Sequence, residues 1–175
     1  MNALYGIIWF IALWKWGDWK NLERYYPTIL FFFLGDLLYQ YLLADIYPMW
    51  RYNPQGVDED IGLTHTHVSL SIMLIKYPAT ILIYLSKFPL SNTLKQMCWF
   101  LFWVLLYMIN EMSDRSFHLI TYHNGWGFSW SILFNIVMFS LLKLHFHRPI
   151  LTWILSVIFI VFLWNIFDVP SSVFR

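Results

Sequence analysis

Apolar residues fall into six blocks along the chain, at residues 3–16, 26–46, 64–85, 94–111, 128–144 and 150–167, parted by short polar connections. A helix needs roughly 20 apolar residues to cross a bilayer, so the last five blocks predict membrane-spanning helices. The first block, "ALYGIIWFIALWKW", is shorter. It predicts either a first span or a helix lying in the membrane interface, which would leave five. The connections are too short for a second folded unit, and no 20–50-residue repeat is visible. The predicted fold is all-α: a polytopic transmembrane helix bundle of six helices, with residues 1–175 forming one domain.

Polar positions inside the blocks follow the helical period. In the third block His65, Ser69, Lys76, Thr80 and Lys87 recur at spacings that make one stripe at 100° per residue. That stripe should face protein. In the second block Asp36, Tyr39, Gln40 and Tyr47 share a face by the same arithmetic. Pro78 removes a backbone donor one turn from Lys76, so a kink is expected there.

Composition supports the bilayer. Of 175 residues, 59% are hydrophobic and 12% charged, against roughly 45–50% and about 25% in soluble domains. With 11 Trp, 11 Tyr and 16 Phe, the chain has ample side chains for the two aromatic belts at the membrane–water interfaces. A net charge of +1 with no polybasic run gives no reason to expect nucleic acid. Cys98 stands alone, so neither an intramolecular disulfide nor a cysteine metal framework is open to it. The N-terminal block lacks the basic flank and small-residue cleavage site of a signal peptide and reads as retained.

Basic residues in the connections set an orientation. Lys15, Lys20, Arg24, Lys87, Lys95, Lys143 and Arg148 fall on one side, and Arg51, Arg115 and Arg175 on the other. The positive-inside rule makes the richer side cytoplasmic. Both termini and the connections at 47–63 and 112–127 are then extracytoplasmic, in a multi-pass protein of the cell membrane.

Asp36 and Lys76 each lie ten residues from the cytoplasmic end of their helices, about 15 Å deep at 1.5 Å per residue. One ionised side chain at the bilayer centre costs about 2.5–3.5 kcal/mol on the insertion scale. The matched depths predict that the two are partners, directly or through Gln40, Tyr39 or water.

The end of the fourth block, "NEMSDRSFH", places Glu111, Asp114, Arg115 and His118 on one helix face. Two readings stand: a site for a cation, metal or polar headgroup, or an interfacial ion-pair cluster. Asp58, Glu59 and Asp60 read as a solvated loop. His65 and His67 diverge on a helix and would chelate together only if the helix began after them. With His118 and His123 they form a candidate zinc set at one membrane surface, and zinc-bound hydroxide there would support hydrolysis of a lipid amide or ester. Glu111, Asp114, His118 and His65 would share a vestibule. "HFHRP", from His145 to Pro149, reads as cationic groups at a helix C-terminus followed by a helix-starting proline.

The stretch "YHNGWGFSWSILFNIVMFSLLKLHFHRPILTW", residues 122–153, carries Asn124-Gly125-Trp126, Met138-Phe139, Leu142, Leu144-His145, Arg148-Pro149 and Trp153. This pattern resembles the C-terminal part of an uncharacterised family of small polytopic integral membrane proteins of endospore-forming Gram-positive bacteria. The similarity is looser around "MWRYNP" and Glu111. It implies a multi-helix fold in the cytoplasmic membrane and carries no activity with it. By itself Asn124-Gly125 suits a tight turn at positive φ, and Trp126 suits an aromatic belt.

Three functions stay open. The first is a non-enzymatic membrane component, either a subunit for a membrane protein partner or a small-molecule binding protein. The second is a small transporter or channel lined by Asp36, Lys76 and Glu111. The third is the metal-dependent hydrolase.

Overall fold

The computed structural model describes residues 2–54, 60 and 62–174, the side chains of residues 2–4 excepted. Asp58 and Glu59 lie outside the described residues. Among those described, the main helices are α1 (Asn2–Trp16), α2 (Leu22–Leu42), α3 (His65–Tyr84), α4 (Thr93–Ser116), α5 (Phe128–His147) and α6 (Pro149–Ile166). Two strands interrupt the helical pattern, β1 (Trp50–Tyr52) and β2 (Ile120–Tyr122).

The fold is mostly helical, as the sequence predicts, and the two short strands are an addition to the all-α pattern. They pair antiparallel, Trp50 opposite Tyr122 and Tyr52 opposite Ile120, and tie the α2–α3 connection to the α4–α5 connection. Three-residue strands are too short to show the alternation that marks a strand in sequence. Tyr39 reinforces the pair. Its ring stacks on Trp50 at 4.1 Å, and its hydroxyl donates to Trp50 O at 2.6 Å while accepting from the Met49 and Trp50 amides.

Helix ends move where polarity, not periodicity, decided the reading. α2 begins a turn before residue 26, because Tyr25 is anchored by donating to Asp18 at 3.1 Å. Its end gives way before residue 46 to the turn that leads into β1. α4 runs past residue 111 to Ser116, since residues 110–116 contain neither Pro nor Gly to stop a helix. Its start is capped by Asn92, whose side chain accepts from the Lys95 amide at 3.0 Å. Asn124 and Gly125 adopt the expected left-handed turn, with φ of 49° and 81°.

α3 is the central helix. Its second half, from Ala79 to Tyr84, is buried almost completely among α1, α2, α4 and α5. Tyr84 sits edge-on to Phe139 and Trp103, and Trp9 of α1 closes the same cluster against Trp103 and Tyr107. α6 packs on α5 alone in any depth, and among its side chains only Thr152 is buried. Leu151, Ile154, Val157, Ile158, Val161 and Phe162 therefore face outward. An apolar face that long does not suit water. α3, α5 and α6 are each long and apolar enough to cross a membrane.

The chain passes back and forth, so that β1, β2, the first turns of α1 and the C-terminal segment gather at one end. There Val169 and Val173 pack with Ala44, Met49 and Trp126. The other end carries the basic connections, with Arg24 over Phe146 at 4.8 Å and Lys143 over Phe88 at 3.6 Å.

Candidate functional site

Pro78 leaves its mark one turn earlier than a simple kink would. From Ile72 to Lys76 the backbone forms a π turn, closed by the Tyr77 amide bonding to Ile72 O five residues back. Such a turn inserts one residue into the helix and accommodates what an α-helical register cannot. Every later residue shifts phase by one position. Tyr77 consequently stands where a regular helix would carry residue 76.

This shift overturns the Asp36–Lys76 pairing. Asp36 Oδ2 accepts from the Tyr77 hydroxyl at 2.8 Å, and Tyr77 is fixed by stacking on Phe32 at 3.8 Å. Gln40 donates to Asp36 at 3.4 Å and to Ser69 Oγ at 2.9 Å, while its carbonyl oxygen meets His65 Nε2 at 2.9 Å. His65 Nδ1 then accepts from the Tyr52 amide at 3.0 Å. The acid is held by neutral donors in a network that runs from the middle of α2 to β1.

Lys76 is turned the other way, toward α1 and α4. Its ammonium lies 4.3 Å from the centre of the Tyr107 ring and 5.6 Å from that of Trp9, within cation–π range. No acceptor within hydrogen-bonding distance of it is found among the described residues. Beside it opens a cavity of about 50 Å³, bounded by Tyr5, Gly6 and Trp9 of α1, by Val68, Ser71, Ile72 and Ile75 of α3, by Tyr52 of β1 and by Asp114 of α4. About 10–15 Å³ of such space holds one water, so there is room for about three, or for one small polar group. Asp114, beyond the apolar part of α4, is pushed up to about 6 by burial, against the pull of Lys76 and with Glu111 adding to the rise. Burial also holds Tyr52 well above the usual phenol range, so it stays protonated.

The vestibule expected for Glu111, Asp114, His118 and His65 is divided. Only Asp114 borders the cavity. Glu111 points to α5 and β2, where one of its oxygens accepts from both Tyr122 and Ser131, and Trp126 donates to Ser131 Oγ at 2.9 Å. Tyr122 is pushed up to about 12, by burial first and then by its bond to Glu111, and Arg115 lies over its ring at 4.5 Å. His65 belongs to the Gln40 network. His118 is exposed at the end of α4 with φ of 56°.

The four candidate zinc histidines are dispersed. α3 starts at His65, so His65 and His67 diverge, and His67 folds back on Thr64 with its Nδ1 3.2 Å from the Thr64 amide. His123 meets Thr121 at 3.0 Å. Among the described residues no three His, Cys, Asp or Glu side chains converge as a metal site would require. His145, read as a cationic helix end, is instead buried, with its Nδ1 3.0 Å from Thr28 Oγ1 and its ring stacked on Phe31 at 4.3 Å.

Sequence reasoning missed the cavity because it joins four elements, and missed Tyr77 because the period it used does not count an inserted residue. The signal that was present is Pro78. No protein-family model, curated protein or solved structure matches the chain.

Proposed function

We propose that this chain is a multi-pass, non-enzymatic binding protein of a cell membrane, with a small polar ligand held in the cavity between Lys76 and Asp114. The observation that carries the reading is a lysine ammonium inside the bundle, flanked by two rings, that faces this cavity with no acceptor among the described residues. A half-buried cation left to packing alone would be an expensive feature, and charged groups within membrane helices mark binding sites or ion paths. A transport path through Asp36, Lys76 and Glu111 has less support, since the three have separate partners in different parts of the bundle. The uneven distribution of Lys and Arg supports the strand-bearing end and both termini as extracytoplasmic, with the basic end in the cytoplasm. The resemblance of residues 122–153 to polytopic proteins of the cytoplasmic membrane agrees with that location.

Access is the test. A Cβ on Gly6 would meet only Ile75 Cδ1, at 3.8 Å, so Gly6→Cys places a thiol at the cavity wall with little disturbance. In a Cys98→Ser background that thiol should react with a water-soluble methanethiosulfonate far faster than Ala79→Cys, whose site is fully buried. Equal rates would sink the reading.

A further inference from the structure

We propose that the cavity takes one small carboxylate, bound head-first on the Lys76 ammonium and hydrogen-bonded to protonated Asp114. This rests on the reading of the cavity as a binding site and names the chemistry of its occupant.

Four observations select that class. The Lys76 ammonium presents donors without acceptors, so an acceptor-rich group completes it. Tyr107 and Trp9 cover its flank and leave the cavity side open. The volume of about 50 Å³ admits a head of carboxylate size and excludes a nucleotide or sugar. Much of the wall is carbon, from Gly6, Val68, Ile72 and Ile75, and among the described residues that line it Lys76 is the one cation. A phosphate, with four oxygens to hydrate against the two of a carboxylate, would be left with several of them unpaired against apolar surface.

Asp114 gives the site its condition. The charged and titratable groups around it are Lys76 from α3, Glu111 from its own helix, Tyr52 from β1 and Tyr5 from α1 across the cavity. An anion seated on Lys76 cannot sit beside a second carboxylate that is also ionised; two such groups at close range share a proton. Asp114 therefore takes one proton from solvent as the ligand carboxylate binds, and its O–H donates to the ligand. The tendency of Asp114 to hold a proton up to about pH 6 makes this uptake easy. Anion and proton enter together, and net charge in the site is unchanged on binding.

The experiment is calorimetric titration of the full chain, in phosphatidylcholine nanodiscs, with acetate at pH 5.5 and pH 7.5. Inorganic phosphate and methylammonium serve as comparators. Acetate should bind, and phosphate and methylammonium should not. Affinity should fall about 20-fold from pH 5.5 to pH 7.5, the factor for a ligand that needs a carboxyl titrating near 6 in its protonated form. Asp114→Asn should bind acetate equally at both pH values. Lys76→Met should not bind it at all. Gly6→Leu, which fills the cavity without touching a charge, should also abolish binding and covers the case in which Lys76→Met fails to fold. The proposal is overturned if methylammonium binds in place of acetate, if Gly6→Leu binds acetate normally, or if the pH dependence survives in Asp114→Asn. Absence of acetate binding with a reactive Gly6→Cys thiol overturns the carboxylate and leaves the binding site standing. An unreactive thiol removes both.

Discussion

The Tyr77 hydroxyl donates to Asp36 Oδ2 at 2.8 Å, in the place that the sequence period assigns to Lys76. One inserted residue at Ile72–Lys76 decides which of two neighbouring side chains meets the acid. A phenol satisfies a carboxyl group in an apolar bundle without bringing a second charge, so the acid needs no ionic partner there. Removing the donor strands a part-buried acceptor, which costs about 1–3 kcal/mol. Tyr77→Phe keeps the stack on Phe32 and should lower thermal stability by that amount. An unchanged melting temperature would mean that water or Gln40 already serves Asp36.

Lys76 and Asp36 should be energetically independent. Residues without shared partners combine additively within about 0.3–0.5 kcal/mol. The double variant Asp36→Asn with Lys76→Met should therefore lose the sum of the single losses in a denaturation cycle. Rescue of Lys76→Met by Asp36→Asn would restore the ion pair that the geometry denies.

Glu111 fastens three elements at the strand-bearing end, through Tyr122 of β2 and Ser131 of α5. Glu111→Ala leaves Tyr122 without its acceptor and Ser131 with the Tyr122 hydroxyl at 3.5 Å, whereas Ser131→Ala leaves Glu111 still held by Tyr122 and deprives Trp126 of one acceptor. The first change should destabilise by about 2–4 kcal/mol and the second by about 1–2 kcal/mol, since each stranded buried group costs about 1–3 kcal/mol. Hydrogen exchange read at β2 provides the check: faster exchange in Ser131→Ala than in Glu111→Ala would reverse the assignment of the anchor.

Orientation is testable without any ligand. A reporter active only in the cytoplasm should be silent when fused after Arg175 and active when inserted at Leu90, the most exposed apolar residue of the α3–α4 connection. The reverse pattern would turn the cavity toward the cytoplasm.

The helices were legible because each carries local evidence, a long apolar run or a polar stripe at the helical period. His65, Ser69 and Thr80 are buried as that stripe required, whereas Lys87 lies past the end of α3 and is exposed, and Lys76 turns away from the Gln40 side. What the sequence did not disclose is where elements distant along the chain meet. Trp50 and Tyr122 pair across a gap of many residues, and nothing local marks either as strand. The histidines looked like ligands only while their directions were unknown; a helix that begins at His65 sends His65 to Gln40 and His67 back to Thr64. Lys76 and Asp114 were both singled out, yet each was assigned to a different site, because the π turn that joins them to one cavity has no period to read.

Asp114 should make stability depend on pH, with a sign opposite to that of a salt-bridged carboxylate. In the folded chain it titrates near 6, against 3.8 for an ordinary aspartate. Below about pH 3.8 both folded and unfolded chains hold the proton, and the group has its full favourable effect. As pH rises from there toward 6, the unfolded chain has released a proton that the folded chain keeps, so ionisation favours unfolding and stability falls until the folded carboxyl has also titrated. A carboxyl that titrates one pH unit higher in the folded chain than in the unfolded one costs about 1.4 kcal/mol once both are ionised, and contact with solvent in the cavity brings the expected loss to about 1–2 kcal/mol. Asp114→Asn carries no ionisable group and lacks this slope. Melting of the two proteins at pH 4.5 and pH 7.5 should therefore show the variant gaining on the wild type as pH rises. Parallel pH profiles would mean that Lys76, reaching across the cavity, already holds Asp114 ionised.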